Sequence, residues 1–196
     1  ARLGDPSDPR SWYGRSRARV ATGICLTAPG IPMLFMGQEF LEDKQWADDF
    51  KSHAGLLLHW TGLDQGDKQM LDHLRFTGEL IRLRWQYPGL RGQGFRVVHA
   101  DDQNRVLAFH RWVEGQGRDV MVVVHLGNDN RYGYRIGFPG CGDWREIFNS
   151  DVYEDWVNPL VAGNGGRVHA EPRPLHGFGV SAALVLPANS ILVFSR

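Results

Sequence analysis

The sequence lacks any long hydrophobic run. No apolar stretch approaches the roughly 18–20 residues of a membrane-spanning helix, and the first twenty residues have no continuous apolar core of the signal-peptide kind. Cysteine is nearly absent: Cys25 and Cys141 are the only two in 196 residues, too few and too widely spaced for a disulfide scaffold or a thiolate metal site. Net charge is absent as well, since 22 Lys and Arg balance 22 Asp and Glu. That balance removes the broad electrostatic case for nucleic acid or a membrane surface as partner. The glycine-rich stretches hold neither a Walker lysine nor a strand-bound dinucleotide fingerprint, so no organic cofactor is expected. His53 and His59 lack zinc-ligand spacing, so no metal is expected. These absences give the expectation of a soluble, cytoplasmic chain.

What is present is more specific. Hydrophobic residues make up 42% of the chain, enough for a real core. The 24 glycines and 10 prolines exceed the usual combined share of about 12% and punctuate the second half most densely, as short strands and tight turns require. Seven tryptophans are numerous for this length. Most should pack in a core or interface, although a sugar-binding surface uses the same amphipathic rings.

Residues 1–15 carry two Asp-Pro steps and no periodicity, which reads as a loop or frayed terminus. Ser16 is then expected to cap a helix over about Arg17–Thr27, with Ala18, Ala21, Ile24, Cys25 and Ala28 as its apolar stripe and Pro29-Gly30 as its stop. Pro32–Met36 is a compact apolar run without alternation, the pattern of a strand buried on both faces. A polar, histidine- and tryptophan-containing loop over Leu41–Asp67 follows. Asp67 is expected to cap a second helix over about Lys68–Gln86, with Met70, Leu71, Leu74, Leu80, Ile81 and Leu83 on its apolar side and Pro88-Gly89 as its end. Helix, buried strand, long loop and helix make a fragment of α/β architecture that cannot close a barrel or a doubly wound sheet alone.

From Gly92 onward the pattern changes. Strands are expected at Phe95–Ala100, Val106–Trp112, Val120–Leu126, Tyr134–Phe138, Trp144–Phe148, Val168–Ala170, Val180–Leu186 and Ile191–Phe194. Their spacing and turn chemistry favour an antiparallel sandwich. The expected fold is therefore mostly β: a C-terminal antiparallel β-sandwich over residues 92–196, preceded by an incomplete α/β piece over residues 1–91 resembling the last part of a TIM barrel.

In parallel α/β folds, active-site groups gather beyond the C-terminal ends of the strands. Gln38 and Glu39 occupy that position after the 32–36 run and could exchange hydrogen bonds with sugar hydroxyls. A buried ion pair or a loop-organising role is the competing reading for Glu39. Glu42, Asp43, Asp48 and Asp49 around Trp46 have the carboxylate and aromatic chemistry of carbohydrate recognition, although solvated loop residues would look the same.

The stretch from Ala28 to Phe40, with its Gly-Ile-Pro-Met and Gly-Gln-Glu-Phe elements, resembles the eighth-strand region of the alpha-amylase superfamily. Downstream, Tyr134–Phe138, Trp144–Asp151, Gly163–Gly166, His176-Gly177, Ala183–Pro187 and Ile191–Phe194 resemble, in order, the C-terminal domain of 1,4-alpha-glucan branching enzymes. The resemblance covers nearly the whole chain. It implies a parent that cleaves an α-1,4 glucosidic bond by double displacement and passes the glycosyl unit to a glucan 6-hydroxyl, in glycogen or α-glucan synthesis. An alpha-amylase or another 4-alpha-glucanotransferase is the alternative.

The same resemblance places the aspartate nucleophile, the glutamate acid/base and the stabilising aspartate after strands four, five and seven. No position here matches any of them, so the chain alone is expected to be inactive. By resemblance Gln38 and Glu39 are active-site-rim residues, with Trp46 and Asp48 beside them on the loop. Glu42–Trp46 departs from the more familiar bacterial branching-enzyme pattern and leaves specificity open. The implied partners are an α-glucan such as glycogen or amylose, through the full-length protein, and an amino-terminal barrel portion of the same polypeptide. Local disorder, a second copy or packing on the sandwich would otherwise have to cover the 32–36 run. A noncatalytic module binding glucan through Trp112, Trp144 or Trp156 is a further alternative, against the plainer reading of those rings as packing.

Overall fold

The computed structural model describes residues 1–44, 49, 51 and 58–196. The architecture is three layers: helices, a six-stranded sheet, and a two-stranded sheet. Helix α1 spans Trp12–Thr27, α2 Trp60–Asp64 and α3 Lys68–Gln86. The strands are β1 Gly94–Asp101, β2 Val106–Trp112, β3 Val120–His125, β4 Arg131–Phe138, β5 Gly142–Asn149, β6 Arg167–Ala170, β7 Val180–Leu186 and β8 Ser190–Ser195. The large sheet has the order β1-β2-β3-β8-β5-β6, and β4 pairs with β7 in the small one. All of these pairings are antiparallel.

Strand alternation explains the layering. In β3, Met121 and Val123 face the small sheet, where they pack with Ile136, Phe138, Ala182 and Leu184. Val120, Val122 and Val124 of the same strand belong to a second core with Val20, Leu26, Phe76, Leu80 and Leu83 of the helices. The neighbouring β8 divides in the same way, Leu192 and Phe194 to one side and Ile191 and Val193 to the other. The run Val120–Val124 is continuously apolar because both faces of its strand are covered.

Asp67 caps α3 as expected, accepting from the Met70 amide. Helix α1 starts earlier than expected: its N-cap is Ser11, whose hydroxyl accepts from the Gly14 amide. Two Asp-Pro steps bias the preceding backbone away from helix, and Ser11 is the first hydroxyl beyond them. Ser16 lies inside the helix and is buried. The buried side of α1 carries Ser16, Arg19, Thr22, Gly23 and Thr27 with Val20 and Leu26, whereas Ala21 is exposed. An apolar stripe misses that face because its threonine hydroxyls are bonded internally: Thr27 donates to Gly23 O, and Thr22 accepts from the Gln38 side-chain amide. Gly23 is required there, since a Cβ would lie 2.7 Å from Ile191 Cγ2 of β8.

Two further expectations need correction. Half of the proposed α3 stripe is exposed, namely Leu71, Leu74 and Ile81, while Phe76 and His73 are buried in their place. Residues 32–36 form no strand: 32–35 have no regular structure, Met36 lies in a turn with a φ of 41°, and Ile31 and Met33 are 99% and 73% exposed. An apolar run is buried on both faces only where neighbours flank it, as β2 and β8 flank β3.

Phe76 joins the layers: it is fully buried and its ring meets Phe148 and Tyr153 at 5.6 and 5.4 Å. Phe76→Ala should lower stability by about 3–5 kcal/mol, read as a fall in the urea midpoint by circular dichroism. A loss below about 1 kcal/mol would show that the helix layer is not packed on the sheet in this way.

Candidate functional site

The segment bearing Gln38 and Glu39 is anchored from behind. Arg84 of α3 donates to the carbonyls of Leu26, Ala28 and Gly30, gripping the end of α1 and the turn after it. The chain then runs without regular structure to a turn at Met36 and Gly37, and Gly37, with a φ of 86°, opens a 3₁₀ turn over Gln38–Phe40. Gly37 is needed twice over, for its left-handed backbone and because a Cβ would meet Glu42 Cβ at 2.6 Å. Phe40 closes the turn inward, fully buried against Trp60 with ring centroids 4.8 Å apart.

Gln38 is half-buried and turned toward α1: its amide nitrogen donates to Thr22 Oγ1 at 3.2 Å, and its oxygen accepts from the Phe35 amide at 3.4 Å. Glu39 beside it is half-buried and makes no ion pair among the described residues. Trp46 and Asp48 lie outside the described residues. Glu42 and Asp43 organise the loop. Glu42 accepts from the amides of Asp43 and Lys44 with one oxygen and from His59 with the other, tying both ends of the loop together. Asp43 pairs with Arg10, and its carbonyl accepts from Arg2. Among the described residues no cluster of His, Cys, Asp and Glu could hold a metal ion.

Trp112, Trp144 and Trp156 pack, the plainer of the two readings of these rings. Trp144 is 1% exposed and donates to Gly140 O. Trp112 stacks on His110 and covers the backbone of Gly94. Trp156 is sandwiched between the Tyr153 ring and the Arg75 guanidinium. It borders a groove of about 510 Å³ along Glu146, Asn149 and Gly163–Gly166. There the Asn164 amide donates to Glu146, and Asn164 bonds both ways with the Val185 backbone, so the loop's polar groups are largely spent on its own shape.

The sequence reading missed a polar cavity of about 360 Å³ between α1, α3 and the 3₁₀ turn Ser150–Tyr153. Arg15 and Arg19 on α1 both pair with Glu154. Asp72 and Asp155 share Lys68. At the buried end His73, 3% exposed, has no hydrogen-bond partner at either ring nitrogen, and neither does Nε of Arg19. The signal for this site was a histidine at position 73, three residues from both Met70 and Phe76 and so on the buried side of α3.

Burial lowers the His73 pKa to about 3, assisted by the positive charges of Arg19, the amino terminus and Arg10; the nearby Gln38 backbone opposes this weakly. His110, His125 and His176 are lowered too, each chiefly by burial. The fold thus holds these rings neutral, whereas an unfolded histidine protonates near about 6.5. The His73 contribution is complete above that pH and is lost as pH falls toward 3, and the other three rings act in the same direction. Glu146 and Asp151, raised by burial, act in the opposite sense over the carboxylate range. His73→Phe isolates the one group. Between about pH 6 and 4 the stability difference should move in favour of the variant by about 1.4 kcal/mol per pH unit, measured by denaturant unfolding; a pH-independent difference would contradict a neutral buried His73.

Comparison with known proteins adds the lineage. Residues 97–196 match the profile of the family described as "Alpha amylase, C-terminal all-beta domain". The chain is similar to 1,4-alpha-glucan branching enzyme GlgB 1 of Xanthomonas euvesicatoria pv. vesicatoria, at 36% identity over 94% of this chain and 25% of that protein. It is 34% identical to 1,4-alpha-glucan branching enzyme GlgB of Paramagnetospirillum magneticum over 97% of this chain and 25% of that protein. The chain thus spans about a quarter of the length of the curated relatives it matches. Among solved structures, that of AmyP in complex with maltose superposes with a TM-score of 0.67 at 15% identity, over 95% of this chain and 36% of that one. At that identity the likeness is one of fold.

Proposed function

Because this chain belongs to the alpha-amylase family, whose C-terminal all-β domain it carries, we propose that it is the carboxy-terminal portion of a 1,4-alpha-glucan branching enzyme. In this reading residues 1–91 are the closing helix–strand–helix segment of a (β/α)₈ barrel and residues 92–196 its C-terminal domain. The parent transfers an α-1,4-glucan segment to a glucan 6-hydroxyl by a retaining double displacement: an aspartate attacks the anomeric carbon while a protonated glutamate assists the leaving oxygen. Both groups, and the stabilising aspartate, belong to the barrel portion preceding these residues. Gln38, Glu39, Trp46 and Asp48 contribute to the rim that orients the glucan.

The observation that carries this reading is the exposed apolar segment 31–36. Ile31, Met33, Phe35 and Met36 are all exposed directly before Gln38 and Glu39. Ile31, Met33 and Met36, three large apolar side chains exposed on one short segment, call for a covering partner, and a neighbouring parallel strand of a barrel would supply it while carrying the Gln38-Glu39 turn to the strand's C-terminal rim. The exposed Leu71, Leu74, Ile81 and Trp85 of α3 extend the surface such a barrel would cover. The membership in the family and the branching-enzyme relatives support the same assignment.

Orientation by Gln38 or Glu39 cannot replace a covalent nucleophile and a proton donor. The chain alone should therefore leave the iodine-complex spectrum of amylose unchanged and release no reducing sugar. Grafted onto the preceding barrel portion of the Xanthomonas euvesicatoria relative, in place of its matching quarter, it should yield α-1,6 linkages sensitive to a debranching enzyme. Reducing-sugar release without new branches would identify the hydrolytic alternative. Linkage formation by the chain alone, abolished by Glu39→Gln, would overturn the reading.

A further inference from the structure

The His176-Gly177 pair has no part in the reading above. It closes a hairpin over residues 171–181, whose second arm runs into β7. Leu175 and Phe178 exchange both backbone hydrogen bonds, and so do Glu171 and Ser181. His176 and Gly177 take φ of 52° and 76°, the left-handed pair that closes a two-residue turn, and histidine is among the residues that tolerate it. Glu171, Pro172, Arg173, Pro174, Gly177 and Gly179 are exposed, so little apolar surface ties the hairpin down. Segments of this kind open locally before the rest of a fold.

Polar and aromatic contacts with β1 and β4 hold the tip. The His176 ring stacks on His99 of β1, with centroids 4.0 Å apart and planes 13° from parallel. Its Nδ1 accepts from the Gly137 amide of β4 at 3.3 Å, which requires that nitrogen to be unprotonated. Arg96 of β1 lies 4.9 Å from the centre of the Phe178 ring and against Gly177. Phe178 meets His110 of β2 edge-on, and His110 is itself paired with Asp119. At the root of the hairpin Arg135 of β4 pairs with Glu171.

The charges around the two stacked rings are unevenly shared. His99 Nε2 lies 3.8 Å from Asp101 on its own strand and bonds to the Tyr134 hydroxyl of β4. That hydroxyl donates to Asp101, so it accepts from Nε2–H of His99, with Arg131 of β4 acting on it from further off. A cation on His99 is thus matched by a carboxylate. His176 forms no ion pair among the described residues, and the charges nearest it are those of Arg96 and His99. A proton on its Nδ1 displaces the Gly137 amide and sets a second cation against them. Burial, with the His99 charge behind it, lowers the His176 pKa accordingly. The folded value lies below the unfolded one, so the docked tip is favoured at neutral pH and loses that advantage as pH falls below about 6.5. We propose that the 171–179 hairpin is a pH-sensitive strap, docked across β1 and β4 while His176 is neutral and detached at its tip when His176 takes up a proton, with both sheets still folded. Detachment uncovers Arg96, His99 and the Gly137 edge of β4.

The test is amide hydrogen exchange of the 196-residue chain, read by NMR between about pH 7 and about pH 5 and corrected for the intrinsic rate, with the His99 and His176 rings titrated in parallel. The Gly137, Leu175 and Phe178 amides should open about threefold more often, or further, at the acid end. The β3 and β8 amides should keep a separate and rarer opening. His176→Asn retains an acceptor and tolerates the left-handed backbone, and it should remove the pH dependence at the three amides. His99→Phe keeps the stacked ring without its charge and should move the His176 titration to higher pH. The proposal is overturned by pH-independent opening at these amides, by the same pH dependence in His176→Asn, or by opening only together with β3 and β8, which is global unfolding. Should His176→Asn not fold, an unmoved His176 titration in His99→Phe decides against the strap.

Discussion

Arg111 is the side chain on which the layers depend. It is fully buried on β2, and its guanidinium has no carboxylate partner among the described residues. Instead it donates to the carbonyls of Thr27, Gly92 and Gly94. Beside it Arg84 donates to Leu26, Ala28 and Gly30. The last carbonyls of a helix have no partner within it and carry the negative end of its dipole. Here that end is buried at a seam, and two arginines from α3 and β2 complete it. Burial and the neighbouring Arg84 charge lower the Arg111 pKa only to about 10, so it remains a cation at neutral pH. One cluster therefore joins α1, α3, the Gly92–Gly94 link and the sheet.

This arrangement determines where chemistry can be presented. Once the end of α1 is fixed, Pro29-Gly30 can send the chain outward, and the 31–36 segment that follows leaves Ile31, Met33 and Met36 exposed. Gly37 then turns it back so that Phe40 is buried and Gln38 returns to Thr22. At the opposite end of α1, Arg15 and Arg19 reach across to Glu154 beyond β5, and the space left between these contacts and α3 is the polar cavity. A single buried helix thus positions both the rim segment and the cavity, one by its C-terminal carbonyls and the other by its N-terminal arginines.

Much of the β half could be read from the sequence because its rules are local. The expected spans Val106–Trp112 and Val180–Leu186 coincide with β2 and β7, and the other strands differ by a few residues at their ends. Alternation and turn residues carry that information. Helix α1 was harder, since its buried face holds Arg19, Thr22 and Thr27, whose burial depends on partners far along the chain such as Glu154. Glu42 and Asp43 read either as sugar ligands or as loop residues, and spacing alone gave no sign that Glu42 would accept from the amides of Asp43, Lys44 and His59 or that Asp43 would meet Arg10. His73 went unremarked because a polar residue inside an apolar repeat has no meaning until its neighbours are known. Arg111 lies in a strand-like run where nothing local indicates that three carbonyls will meet it. Composition and spacing specify which faces are apolar; they do not specify which distant backbone a buried cation will find.

The central claim is that the Arg111 cluster makes the helices and the sheet one mechanical unit. Arg111→Met keeps much of the side-chain volume and removes every donor, leaving buried carbonyls unbonded at about 1–3 kcal/mol each. Unfolding of that variant with amide hydrogen exchange is the direct measurement. The account predicts a loss of about 3 kcal/mol or more, with faster exchange in α1, α3 and β2 together. Unchanged stability, with exchange altered only around residue 111, would contradict it.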